Sequence, residues 1–158
     1  MRTLILGLGN PIQSDDSVGL RVARALQDKL ASPEITVMEA SVAGLDALEL
    51  LAGYDQAVII DAIQTDTGHV GWIYRLEPDA LNATSHAATP HDVNFATALE
   101  LGSKLGLALP HKITVFAIEA GDVTSFTEEC TPEVSAAIPL CVDMILQELG
   151  EQEKCKHG

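Results

Sequence analysis

Basic residues are scarce in this chain. Nine Lys and Arg stand against 23 Asp and Glu in 158 residues, a formal net charge of −14. Binding to nucleic acid or to an anionic membrane depends on neutralising phosphates. No basic cluster is available in the middle of the chain to do so, which excludes both partner classes. The excess charge reads first as a solvated acidic surface, leaving proteins, cations and neutral substrates as partners. Cysteine is also sparse: Cys130, Cys141 and Cys155 are odd in number and far apart, a pattern of a reduced cytoplasmic protein rather than a disulfide scaffold. No charge-free run approaches the ~18 residues of a membrane span. Met1-Arg2 leads straight into a strand-like run with no small-residue cleavage site, so no signal peptide is expected. Repeats, low-complexity segments and linkers are missing too. Residues 1–150 therefore read as one domain, residues 151–158 as a polar tail, and the protein as a monomer.

What is present is an alternation of apolar runs and helical stripes, which predicts a mostly parallel, twisted sheet. Strands are expected at Thr3–Leu8, Ile35–Met38, Ala57–Ile60, Trp72–Leu76 and Ile113–Ile118. The first helix carries Val18, Val22, Ala25, Leu26 and Leu30 at helical spacing, with Asp16 or Ser17 as its cap. A small helix at Leu45–Leu51 stops at Gly53, and another runs from Asp92 to Leu105. The turn at Gly68 and Gly71 is too short for a crossover, so Trp72–Leu76 should run antiparallel to its predecessor. Thr131 caps and Pro132 opens the last helix, whose stripe Val134, Ile138, Cys141, Val142, Ile145, Leu149 makes Cys141 a core thiol and which Gly150 should end. The fold class is α/β: a single-domain three-layer sandwich with about five strands and helices on both faces.

The chemistry collects at strand ends. Gly7-Leu8-Gly9-Asn10-Pro11 and then Asp15-Asp16 follow the first strand, Glu39 the second, Asp61 the third and Glu119 the last. In open parallel sheets ligands bind outside these carboxyl ends. A dinucleotide fingerprint is excluded, because the third glycine is missing and two aspartates would repel a phosphate. Acids gathered at one edge need a cation, shared protons or water. His91, which follows the irregular loop Pro78–Pro90, can complete a two-carboxylate, one-histidine set for a divalent metal with open positions, and His86 is the reserve ligand. Each has a plainer reading: Asp15 and Asp16 as helix caps, Asp61 as a turn former, His91 as an exposed cap, Glu39 and Glu119 as salt-bridging groups. His69 and His111 read as solvated, and the tail Cys155-Lys156-His157 looks metal-like but has no partner spacing and is expected to be disordered by position. No Gly-x-Ser-x-Gly elbow occurs, and no cysteine lies near a histidine in an ordered context. Catalysis would use a carboxylate or a metal-bound water as base.

Gly7-Leu8-Gly9-Asn10-Pro11…Asp15-Asp16…Gly19, Val58-Ile59-Ile60-Asp61-Ala62 and Thr89-Pro90-His91-Asp92 resemble the hydrogenase maturation endopeptidases. Phe116-Ala117-Ile118-Glu119 and Thr131-Pro132-Glu133-Val134 extend the likeness over nearly the whole chain. The resemblance implies a nickel-dependent protease that trims the C-terminal extension of the large-subunit precursor of a NiFe hydrogenase. It also implies that Asp16, Asp61 and His91 are the catalytic and metal-engaging trio, touching a nickel that the precursor presents. Aspartate at residue 16, where the family often has glutamate, shortens the reach by one methylene. Two other readings compete. One is a non-enzymatic metal-binding or docking module for the same precursor. The other is a peptidyl-tRNA hydrolase, which shares the Gly-x-x-Asn-Pro opening but needs a histidine soon after it and a basic surface. Residues 11–30 hold no histidine.

Overall fold

All the residues of two strands, β1 (Thr3–Leu8) and β3 (Gln56–Ile63), are buried, as strands covered on both faces must be. The computed structural model describes residues 1–41, 45–77 and 101–157, the last seven as backbone. Its five-stranded sheet has the order β2-β1-β3-β5-β4, with β2 at Ile35–Ala40, β4 at Ile73–Leu76 and β5 at Lys112–Glu119. β2, β1, β3 and β5 are parallel, and β4 is antiparallel to β5. Helices α1 (Val18–Lys29), α2 (Leu45–Leu51) and α3 (Pro132–His157) complete the described elements, with residues 101–104 a further helical stretch.

Strand alternation divides the core into two layers. Ile5, Val58, Ile60, Phe116 and Ile118 face α1 and α3, meeting Val22, Leu26, Val134, Cys141 and Ile145. Leu4, Leu6, Ile59, Val115 and Ala117 face the other way, against Ala47, Leu48 and Leu51 of α2. The expected three-layer α/β sandwich is therefore the one observed. Each buried Val, Leu, Ile or Phe side chain contributes about 1.5–3 kcal/mol.

Three local expectations change. β4 has the expected direction but lies beside β5, because β1 and β5 already occupy both sides of β3. β3 runs on through Asp61 to Ile63, so Asp61 is a strand residue paired with Ala117 rather than a turn former. α3 does not stop at Gly150. That glycine is absent from the positive-φ positions, and the residues after it, Glu151-Gln152-Glu153-Lys154, are good helix formers that carry the helix to His157. The loop Pro78–Pro90, His86, His91 and the first part of the helix expected from Asp92 lie outside the described residues.

Candidate active site

β1 leaves the sheet at Gly9, and a short turn brings the chain back over its end. Asn10 shapes the turn: its Oδ1 accepts from the Ile12 amide at 3.1 Å and its Nδ2 donates to Gln13 Oε1 at 3.1 Å. Ser14 follows at φ +48°, in the left-handed region, and opens a 3₁₀ turn, Ser14–Ser17. All four residues of that turn are buried. Two glycines permit the close approach. A Cβ on Gly9 would stand 2.2 Å from the Asp16 carbonyl oxygen, and one on Gly19 would stand 2.3 Å from Leu8 O and 2.4 Å from Ile60 O. The turn therefore rests on the carboxyl ends of β1 and β3.

Neither aspartate caps α1 with its side chain. The 3₁₀ turn runs directly into the helix, so the Val18 amide finds the Asp15 carbonyl, and Ser17 Oγ donates to Ser14 O at 2.7 Å. Asp15, fully buried, does something the sequence did not signal. Its carboxylate accepts from the amides of Gly121 (2.8 Å), Asp122 (2.9 Å) and Thr131 (2.7 Å), and from Thr131 Oγ1. Two backbone bonds run alongside, Ser14 N to Thr127 O and Asp15 N to Asp122 O. The turn after β1 is thus pinned to the segment between β5 and α3.

Asp16 is 1% exposed and Asp61 6%. Asp61 Oδ1 accepts from the Ala62 amide at 2.8 Å. Alternation along β3 sets Asp61 on the face of Ile59 and Ile63, the α2 side. Two buried carboxylates thus stand at the carboxyl ends of adjacent strands. His91, the third member of the expected trio, lies outside the described residues. Among the described residues no three His, Cys, Asp or Glu side chains form a group able to hold a metal ion.

The other two strand-end acids, Glu119 and Glu39, have partners of their own. Glu119, buried at the end of β5, accepts from the Thr65 amide (2.8 Å), Thr65 Oγ1 (2.5 Å) and Tyr74 Oη (3.0 Å). Burial first, and then the Glu119 carboxylate against a counter-pull from Thr65, hold the Tyr74 hydroxyl above its ordinary pKa, so it stays a donor. Glu39 pairs at the surface with Arg24 at 2.7 Å. Burial pushes the Cys130 thiol up despite its neighbours Ser17 and Arg21, and pushes Cys141 up to about 12. Neither is poised as a nucleophile, and Cys141 is the core thiol expected.

A sequence model of the hydrogenase maturation protease family matches residues 20–148. The hydrogenase 2 maturation protease of Escherichia coli K12 is 27% identical over 153 residues, 96% of this chain and 92% of that protein. Among solved structures, the hydrogenase maturating endopeptidase HybD from E. coli superposes with a TM-score of 0.82 at 26% identity, covering 96% of this chain and 94% of that one. The NiFe hydrogenase maturation protease HybD from Thermococcus kodakarensis gives 0.72 at 26% identity, covering 93% and 98%. With the family matched over most of its length and the same sheet carried by these proteases, the chain belongs to the hydrogenase maturation proteases and is a peptidase.

Proposed function

We propose that this peptidase removes the C-terminal extension from the nickel-loaded large-subunit precursor of a NiFe hydrogenase, and that Asp16, Asp61 and His91 engage the nickel the precursor carries. The observation that supports this most is the burial of Asp16 and Asp61 at the carboxyl ends of β1 and β3. Carboxylates kept out of water are costly unless something uses them.

Hydrolysis adds water across the scissile amide: hydroxide goes to the carbonyl carbon, a proton goes to the departing nitrogen, and the C–N bond breaks. A carboxylate of the pair takes the water's proton, or the precursor's own nickel polarises the scissile carbonyl. In either case a precursor without metal offers these ligands little to hold, so cleavage waits for loading.

The test is to incubate the protein with nickel-loaded and nickel-free precursor and to read the mass of the large subunit. Loss of the peptide only with nickel supports the proposal. Loss in both cases overturns the nickel requirement, and loss in neither overturns the assigned reaction. Asp16→Asn or Asp61→Asn should stop processing with a melting temperature close to wild type, since the amide keeps the shape of the carboxylate and an acceptor oxygen. Unfolding of both variants would make these acids structural instead.

A further inference from the structure

The turn that carries Asp16 also displays an apolar side chain to solvent, and so does the segment to which it is pinned. Ile12 is 50% exposed and Phe126, at 81%, is the most exposed large hydrophobic residue among those described. The two are neighbours by construction. Gln13 and Thr127, the residues that follow them, form a parallel bridge, and Ser14 N donates to Thr127 O at 2.9 Å. Both sides of the bridge are fixed from below. The Asp15 carboxylate holds one to the other, and Asp122 Oδ1 accepts from the Thr124 and Ser125 amides, shaping the turn that presents Phe126. A large aromatic ring held outward on so rigid a support has no part in the core, and exposed apolar groups of this kind mark contact sites.

Along the sequence, the charge flanking the pair is of one sign. No Lys or Arg occurs in residues 3–20 or 113–153, whereas Asp122, Glu128 and Glu129 lie within four residues of Phe126. Arg21 is the cation nearest along the chain to the Asp16 turn, and its Nε is committed to Ser17 Oγ at 3.0 Å. We propose that Ile12 and Phe126 are the jaws that seat the protein substrate, gripping an apolar residue of the precursor that is flanked by Lys or Arg while the neighbouring acids attract that basic flank. The occupant is the substrate because Ile12 and Phe126 stand on the two segments joined at the turn that carries Asp16, continuous with the site proposed above. This inference rests on the function proposed above.

Steady-state processing of the nickel-loaded precursor, and titration of precursor binding, should be compared for wild type, Ile12→Ser/Phe126→Ser, Phe126→Leu and Glu128→Gln/Glu129→Gln. The double Ser variant should lose about tenfold in kcat/KM, mainly through KM, with an unchanged melting temperature, and Phe126→Leu should retain most of the activity. The charge variant should bind more weakly and show a flatter dependence on salt. Wild-type KM and binding in both double variants would overturn the proposal. If the double Ser variant does not fold, the charge variant decides, with unaltered salt dependence the negative result. If the wild type fails to cleave the precursor, the reaction assigned above falls; the binding titration then judges the jaws separately, since unweakened binding by the variants sinks them.

Discussion

Glu39 and Glu119 occupy the same place in the sequence pattern, an acid at the carboxyl end of a parallel strand, and they end in opposite circumstances. β2 is at the sheet margin, where Glu39 meets Arg24 in an exposed pair. β5 is interior, and its Glu119 is buried against an amide and two hydroxyls that fasten the 64–72 connection and β4. Asp15 resembles Glu119: a buried carboxylate that bolts one loop to another. What separates the two regions is the supply of donors. At the margin water competes for each partner, whereas in the interior the acid must collect amides and hydroxyls or not be there.

The comparison breaks most visibly at Asp15. Asp15→Ala leaves the amides of Gly121, Asp122 and Thr131 without their acceptor and should cost about 3–5 kcal/mol, a fall in Tm of about 10 °C by thermal denaturation. A variant melting like wild type would mean the interior acids hold nothing. Glu119→Ala should come second, at about 2 kcal/mol, because it strands a single amide while the Thr65 and Tyr74 hydroxyls can turn to water. Hydrogen exchange should show the loss as faster exchange at Thr65 while the amides of β1 stay protected. At the margin, Glu39→Gln should change stability by about 0.5 kcal/mol or less in chemical denaturation. A loss as large as that of Glu119→Ala would erase the distinction.

These contrasts explain what the sequence could reveal. Apolar runs and stripes located β1, α1, α2 and β5 closely, since burial on one or both faces writes its period into the chain. Asp61 was legible as a candidate for a related reason: an ionisable residue directly after Val58-Ile59-Ile60 is out of place unless it is used. The clamp at Asp15 was not legible. Its donors come from positions 106, 107 and 116 residues away, and nothing local in Ser14-Asp15-Asp16-Ser17 tells which aspartate collects the loop's amides. Helix capping, a local rule, was the natural expectation, and tertiary bonds overrode it. The partner of β4 was hidden likewise, because pairing order depends on which strands already flank β3.

The smallest effect sits on the same loop, at Asp122, where the margin rule should hold even though the group is well bonded. Hydrogen bonds from the Ser125 side chain, then the amides of Ser125 and Thr124, lower its pKa from 3.8 to about 2. A folded-state pKa below the unfolded one means the ionised form favours the fold. Its contribution is present above the ordinary value of 3.8 and is lost as pH falls toward about 2. The group is at the surface, so solvent screening should keep the effect slight. Thermal melts of wild type and Asp122→Ala should therefore show a small gap near neutral pH that closes below pH 3.8. A gap that persists unchanged at pH 2 would show that the side chain works by packing rather than by charge.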